Sequence, residues 1–288
     1  MSDRFATALQ YLAPKQALTQ LAGRWANAQA GRFTTATIRW FVKRYQVDMT
    51  EALEPDITAY ASFNDFFTRA LRPEARPIAP ARLSCPVDGA VSQLGRITQG
   101  CIVQAKGHTY TASALLGGDS ALAAQFEGGR FVTLYLSPRD YHRIHMPCRG
   151  RLMHMTHIPG SLFSVNPVTA RNVPGLFARN ERVVCLFETE LGTMALVLVG
   201  ATIVGSMCTV WHGQVNPPRS GHIRHWDYAQ QDITLDQGEE MGRFQLGSTV
   251  IVLLPEGPTQ WQADWAPGRA VRLGEAMTQE DIEPENSR

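Results

Sequence analysis

Apolar positions recur at helical spacing through the first seventy residues, and then give way to short, solid apolar runs. Phe5, Leu9 and Leu12 follow one helical stripe, and Leu18, Leu21 and Trp25 follow another after a break at Pro14. A third stripe joins Ile38, Phe41, Val42 and Tyr45, with Arg39, Lys43 and Arg44 beside it. Ser62-Phe63-Asn64-Asp65 predicts a helix start with an acid in its first turn, opening Phe66-Phe67-Thr68-Arg69. The cluster Arg72-Pro73-Glu74-Ala75-Arg76-Pro77 is expected to end that helix. Beyond it the runs 90–91, 131–136, 183–187, 194–199 and 249–254 are brief and punctuated by glycine. Long helical periods of the kind a βαβ chain needs are scarce. The pattern predicts an α+β protein, with a helical region over residues 1–72 and a mainly antiparallel, β-rich core over 73–288. The polar, acidic end after Glu280 is expected to fray.

Composition changes this picture in one respect. With 288 residues, 44% hydrophobic and 18% charged, the chain has enough material for one substantial core. The net charge of +1 conceals an uneven distribution. Residues 1–45 hold Arg4, Lys15, Arg24, Arg32, Arg39, Lys43 and Arg44 against the single acid Asp3. Such a basic start suits an anionic surface, either membrane or nucleic acid. The N-terminus lacks a charged-then-apolar signal pattern. The longest apolar run, 194–208, is too short and too rich in glycine for a membrane span, and reads as two buried strands around Gly200 and Gly205. Five cysteines without a Cys-x-x-Cys pair argue against a disulfide framework or zinc knuckle and fit a reducing compartment.

Three segments carry candidate chemistry. Asp88 stands at an Asp-Gly turn in Cys85-Pro86-Val87-Asp88-Gly89, where it serves either the turn's own backbone or the orientation of a histidine. His142 and His145, crowded by charge and bounded by prolines, suit proton transfer near neutral pH. A metal reading of these residues, or of His154-Met155-Thr156-His157, ranks below proton transfer because neither pair lies on an obvious long helix or in a His-Glu-x-x-His sequence. In Gly242-Arg243-Phe244-Gln245-Leu246-Gly247-Ser248-Thr249, a Gly-Ser bond leads into an apolar strand. A serine hydroxyl there can attack the preceding carbonyl, and glycine leaves that carbonyl unshielded. Elimination and hydrolysis of the resulting ester yield a pyruvoyl group, an electron sink made from the chain itself.

Taken together, these segments resemble phosphatidylserine decarboxylases of the bacterial, pyruvoyl-dependent type. The likeness spans nearly the whole chain. It includes Pro86-Val87-Asp88-Gly89, Lys106-Gly107, Leu115-Leu116-Gly117, the block from Asp140 to Pro147, Asn180-Glu181-Arg182, Val199-Gly200-Ala201-Thr202 and Gly242 to Thr249. The resemblance implies that Ser248 cuts the chain and becomes the pyruvoyl cofactor, giving a β chain 1–247 and an α chain 248–288 that stay together as a heterodimer. It implies that His145 activates Ser248, Asp88 orients His145, and His142 serves decarboxylation by way of a Schiff base. It further implies phosphatidylserine in the membrane as substrate, phosphatidylethanolamine and carbon dioxide as products, and an N-terminal region that docks on membrane rather than on nucleic acid. The expected location is peripheral, on the cytoplasmic face of the inner membrane. No resident metal is expected, and the association of copies into a homo-oligomer is left open. Two rivals remain at this point: a Ser-His-Asp hydrolase with Ser248 intact, although Leu246-Gly247-Ser248-Thr249-Val250 lacks the last glycine of a nucleophile elbow, and a non-enzymatic membrane-binding module.

Overall fold

The computed structural model describes residues 10–11, 15–105, 107–202, 206–216, 219, 221–245 and 248–279. The expectations placed on Phe5, Leu9, Leu12, Pro14, Lys106, Gly205 and the C-terminal tail lie outside these residues, as do those on Gly247 and the side chain of Ser248.

Helices α1 (Lys15–Asn27), α2 (Arg32–Tyr45) and α3 (Phe63–Phe67) form the N-terminal region. The start of α3 is fixed by a capping box, in which Asp65 N–H donates to Ser62 Oγ and Ser62 N–H donates to the Asp65 carboxylate. The helix stops at Phe67, short of the expected Arg69, because Thr68 turns its hydroxyl back to the Asn64 carbonyl and Leu71 bridges to Ala52. Ile38, Phe41, Phe63, Phe66 and Phe67 bury themselves in a small aromatic core of their own. The apolar stripes therefore divide: Phe41 faces inward, while Leu21, Trp25, Phe33 and Trp40 face solvent.

The remaining chain is built on strands β1 (Gly89–Arg96), β2 (Cys101–Ala105), β3 (His108–Thr111), β4 (Arg130–Leu136), β5 (Arg143–His145), β6 (Gly150–Ile158), β7 (Arg182–Thr189), β8 (Gly192–Val199), β9 (Ser206–Thr209), β10 (Gly213–Asn216), β11 (Arg224–Asp227), β12 (Thr234–Leu235), β13 (Glu240–Gln245), β14 (Ser248–Leu254) and β15 (Ala270–Val271). A nine-stranded sheet runs β11-β6-β7-β8-β14-β4-β1-β15, with β12 joined to β6. A four-stranded sheet runs β10-β9-β13-β5, and β2 pairs with β3. All pairings between these strands are antiparallel.

Both faces of the large sheet are covered, which is why its central strands read as solid apolar runs rather than as alternation. On one face Val250, Val252, Leu196 and Leu198 pack with Ile144, Met207, Met241 and Phe244 of the small sheet. On the other, Ile251, Leu253, Ala195 and Val197 pack with Ile102, Tyr110, Leu176 and Phe177. The sequence 194–208 resolves into β8 and β9 on either side of a crossing between the two sheets. Among the described residues, no helix is long and apolar enough to cross a membrane.

Candidate active site

Two segments cross between the sheets at the same place. One leaves β4 at Leu136 and runs through Ser137 and His142 into β5; the other leaves β13 at Gln245 and enters β14 at Ser248. Backbone pairing holds them side by side. Ser248 stands opposite Leu136, Arg243 stands opposite Arg143, and Phe244 N–H donates to the His142 carbonyl at 3.0 Å. A third segment closes on them, because His145 N–H donates to the Pro86 carbonyl at 2.9 Å and Ala90 pairs with Tyr135. Glycine after Asp88 is required by this approach: a Cβ at Gly89 would lie 2.3 Å from the Tyr135 carbonyl oxygen. Segments distant in sequence thus converge around the end of β4.

His142 is fully buried and lies flat beneath Phe67, with ring centroids 4.0 Å apart. Its Nε2 donates to the Ser137 carbonyl at 3.1 Å, so in the neutral ring Nδ1 carries the lone pair. Nδ1 is buried without a hydrogen-bond partner among the described residues. Burial, reinforced by the charge of Arg69, lowers the His142 pKa to about 3. His145 is held differently. Its Nδ1 donates to the Gly238 carbonyl at 2.7 Å, and its Nε2 meets the Tyr141 hydroxyl at 3.2 Å. Burial lowers the His145 pKa as well, partly offset by the Gly238 carbonyl and by Glu240.

Asp88 is held by an arginine side chain and a backbone amide. Arg76 grips its carboxylate with Nε at 2.9 Å and Nη2 at 2.6 Å, while Leu273 N–H donates at 2.8 Å. The same guanidinium reaches Glu51 at 2.8 Å. Asp88 is expected to orient His145; these are the groups that hold its carboxylate among the described residues, and the Gly238 carbonyl accepts from the imidazole of His145. Beside Asp88 a cavity of about 320 Å³ is lined by Arg69, Arg76, Arg139, Asp140 and Tyr141 among others. Burial pushes the Arg69 pKa down, and its Nε has no hydrogen-bond partner among the described residues. Arg143 is committed elsewhere, to the Thr68 carbonyl at 2.8 Å and Glu240 at 2.8 Å.

Arg69, Arg76, Phe67 and the Gly238 carbonyl carry no local signal in the sequence, since only tertiary contact gives them a place here. The second histidine pair is separated by strand geometry. His154 and His157 are three apart on β6 and so lie on opposite faces. His154 is half-exposed near Asp227, whereas His157 is buried against Glu181 at 3.0 Å. These two imidazoles do not share a ligand.

Comparison with known proteins identifies the family. The profile described as phosphatidylserine decarboxylase matches residues 63–279, and a second, described as PSD, matches residues 5–46. A phosphatidylserine decarboxylase proenzyme of Acidovorax ebreus (strain TPSY) is 69% identical over 96% of this chain and 98% of its own length. The proenzyme of the same name from Methylibium petroleiphilum (strain ATCC BAA-1232 / LMG 22953 / PM1) is 67% identical over the same shares. That from Dechloromonas aromatica (strain RCB) is 64% identical, again over 96% and 98%. These likenesses span the whole architecture and disfavour both the hydrolase and the binding-module readings. The chain belongs to the phosphatidylserine decarboxylase family.

Proposed function

We propose that this chain is a proenzyme that cuts itself between Gly247 and Ser248 and, once matured, converts phosphatidylserine to phosphatidylethanolamine and carbon dioxide at a membrane surface. The observation that supports the reading is backbone pairing at the two sheet crossings: Ser248 stands opposite Leu136, and Phe244 N–H donates to the carbonyl of His142, on the segment that continues to His145.

His145 is the base in the first step. Its Nε2 takes the Ser248 hydroxyl proton as Oγ bonds to the Gly247 carbonyl carbon. Collapse breaks the peptide C–N bond and returns the proton to the freed amine, leaving an ester. Loss of the Ser248 α-proton then expels the Gly247 carboxylate, and hydrolysis of the resulting enamine releases ammonia and leaves a pyruvoyl group. Asp88 acts on His145 through its charge rather than through a hydrogen bond, favouring the imidazolium when the proton arrives. Arg76 holds that carboxylate in place.

The residues fit such a group: on the segment that follows Leu136, the backbone partner of Ser248, His142 keeps a buried imidazole nitrogen with no hydrogen-bond partner among the described residues. The pyruvoyl carbonyl supplies the electron sink for decarboxylation. Nδ1 of His142 accepts a proton from the substrate ammonium and returns it to the former α-carbon after carbon dioxide has left. Phe67 over the ring keeps water from competing for that proton. Intact mass spectrometry tests the scheme directly. Active protein is expected as two fragments, 1–247 and 248–288, the shorter one refractory to N-terminal sequencing. A single full-length chain with catalytic activity refutes it.

Substrate acyl chains remain in the bilayer, so the enzyme must meet the interface. Leu18, Leu21 and Trp25 on α1, with Phe33 and Trp40 on α2, present exposed apolar surface. Exposed Arg24, Arg32, Arg39, Lys43 and Arg44 accompany them. Each cation near an anionic surface contributes about 1 kcal/mol, which favours the anionic cytoplasmic leaflet. The unpaired cysteines suit that side too. Reversing Arg39, Lys43 and Arg44 to Glu is expected to weaken binding to anionic vesicles at least about ten-fold, with the wild-type affinity falling as salt is raised. Co-sedimentation measures both, and salt-independent binding unaffected by these changes removes the electrostatic part of the proposal.

A further inference from the structure

Tyr141 is almost wholly buried, yet its hydroxyl touches the one atom on which self-cleavage turns. Because a backbone carbonyl only accepts, the 2.7 Å contact with Gly238 places the proton of neutral His145 on Nδ1. Nε2 is then an acceptor with one in-plane lone pair, and the Tyr141 O–H donates to it at 3.2 Å. A donor serving that lone pair excludes the Ser248 hydroxyl from it. The distance is long for a hydroxyl donor, as befits a bond that exchanges readily.

We infer that Tyr141 is a positioning residue that restrains maturation: its hydroxyl occupies Nε2 of His145 and must withdraw before that nitrogen deprotonates Ser248. The inference rests on the reading of His145 as the base for self-cleavage. A second consequence follows from the direction of the bond. Donation to the neutral imidazole favours the neutral form, so Tyr141 makes His145 a weaker base than its other neighbours would. Those neighbours are Arg143 on its own strand, Glu240 on β13 and Asp88 ahead of β1; Arg69 and Arg243 act on Tyr141 itself. None of them is altered by removal of one hydroxyl. The phenol stays protonated throughout the relevant range, since burial pushes its pKa up to about 12.

The test is the pH profile of self-cleavage in full-length chains made by cell-free synthesis, followed by fragment appearance on gels. Tyr141→Phe is expected to raise the plateau rate about five-fold, the population change that a hydrogen bond of ordinary net strength controls. It is also expected to move the midpoint of the acidic limb about half a unit upward. Replacing Tyr141 with 3-fluorotyrosine, a stronger donor, should do the opposite on both counts. A phenylalanine variant that cleaves more slowly by the same factor at every pH, or that matches wild type, overturns the inference. Should that variant fail to fold, the fluorotyrosine protein decides, and an unshifted profile there is equally fatal. A wild-type chain that never cuts refutes the self-cleavage reading itself, and the restraint with it.

Discussion

A Ser248→Ala chain is expected to stay at full length and to release carbon dioxide from phosphatidylserine vesicles at no more than the uncatalysed rate. The loss is total because one atom serves two ends. Without Oγ there is no nucleophile for the Gly247 carbonyl, and without the cut there is no ketone to accept electrons. Folding is a separate matter. Residue 248 enters β14 through backbone pairing with Leu136, which alanine supports as well as serine does. The variant should therefore fold to the same architecture, while showing one band and one mass. Activity in uncut Ser248→Ala protein would mean that the electrophile resides elsewhere.

A His142→Gln chain is expected to cleave normally and to decarboxylate 10²- to 10⁴-fold more slowly, the usual range for loss of a positioned proton carrier. Glutamine retains a donor for the Ser137 carbonyl but offers no nitrogen that gains and returns a proton near neutral pH. Cleavage should survive because His145 has its own carbonyl partner and its own neighbours. The same substitution has a signature in stability. The unfolded chain takes a proton on this histidine near pH 6.5, whereas the folded chain refuses it until about pH 3. Unfolding therefore takes up a proton throughout that window, and the wild type loses up to about 1.4 kcal/mol per pH unit as pH falls from 6.5 toward 3. Urea titrations of uncleaved backgrounds, such as Ser248→Ala with and without His142→Gln, should show a shallower acid slope in the double variant. Equal slopes would show that His142 is not held neutral by burial. Failure of His142→Gln to cleave would move the residue into maturation.

The strands at 131–136, 183–187, 194–199 and 249–254 were legible because burial on both faces writes itself as an unbroken apolar run. Strand β6 was not, although it spans Gly150–Ile158, because His154 and Thr156 face outward and break the run. Ser62 and Asp65 announced their helix through local chemistry, but its end depended on a bridge from Ala52 to Leu71 that no local pattern reports. The site followed the same division. Asp88, His142, His145 and Ser248 stand in motifs with reactive residue types, and the structure brings their segments together. The partners that tune them come from far away in sequence. Arg76 reads only as part of a boundary cluster, Phe67 only as a helix residue, and Gly238 offers nothing but a carbonyl. Spacing likewise could not tell which apolar helix residues stay exposed, since Phe41 and Trp40 are neighbours with opposite fates.

Strand β14 has β4 on one side and β8 on the other, and residues from the piece that follows it, Trp261, Trp265, Val271 and Met277, are rooted in the main core. The nick proposed at its head would therefore free nothing. The short fragment would remain clamped by two ladders, but without the tether that guided it into place. Reassembly of the cut protein from denaturant would become an encounter between two molecules, slower as the solution is diluted. The proposed maturation would thus exchange a fold that can be found again for one that only has to last.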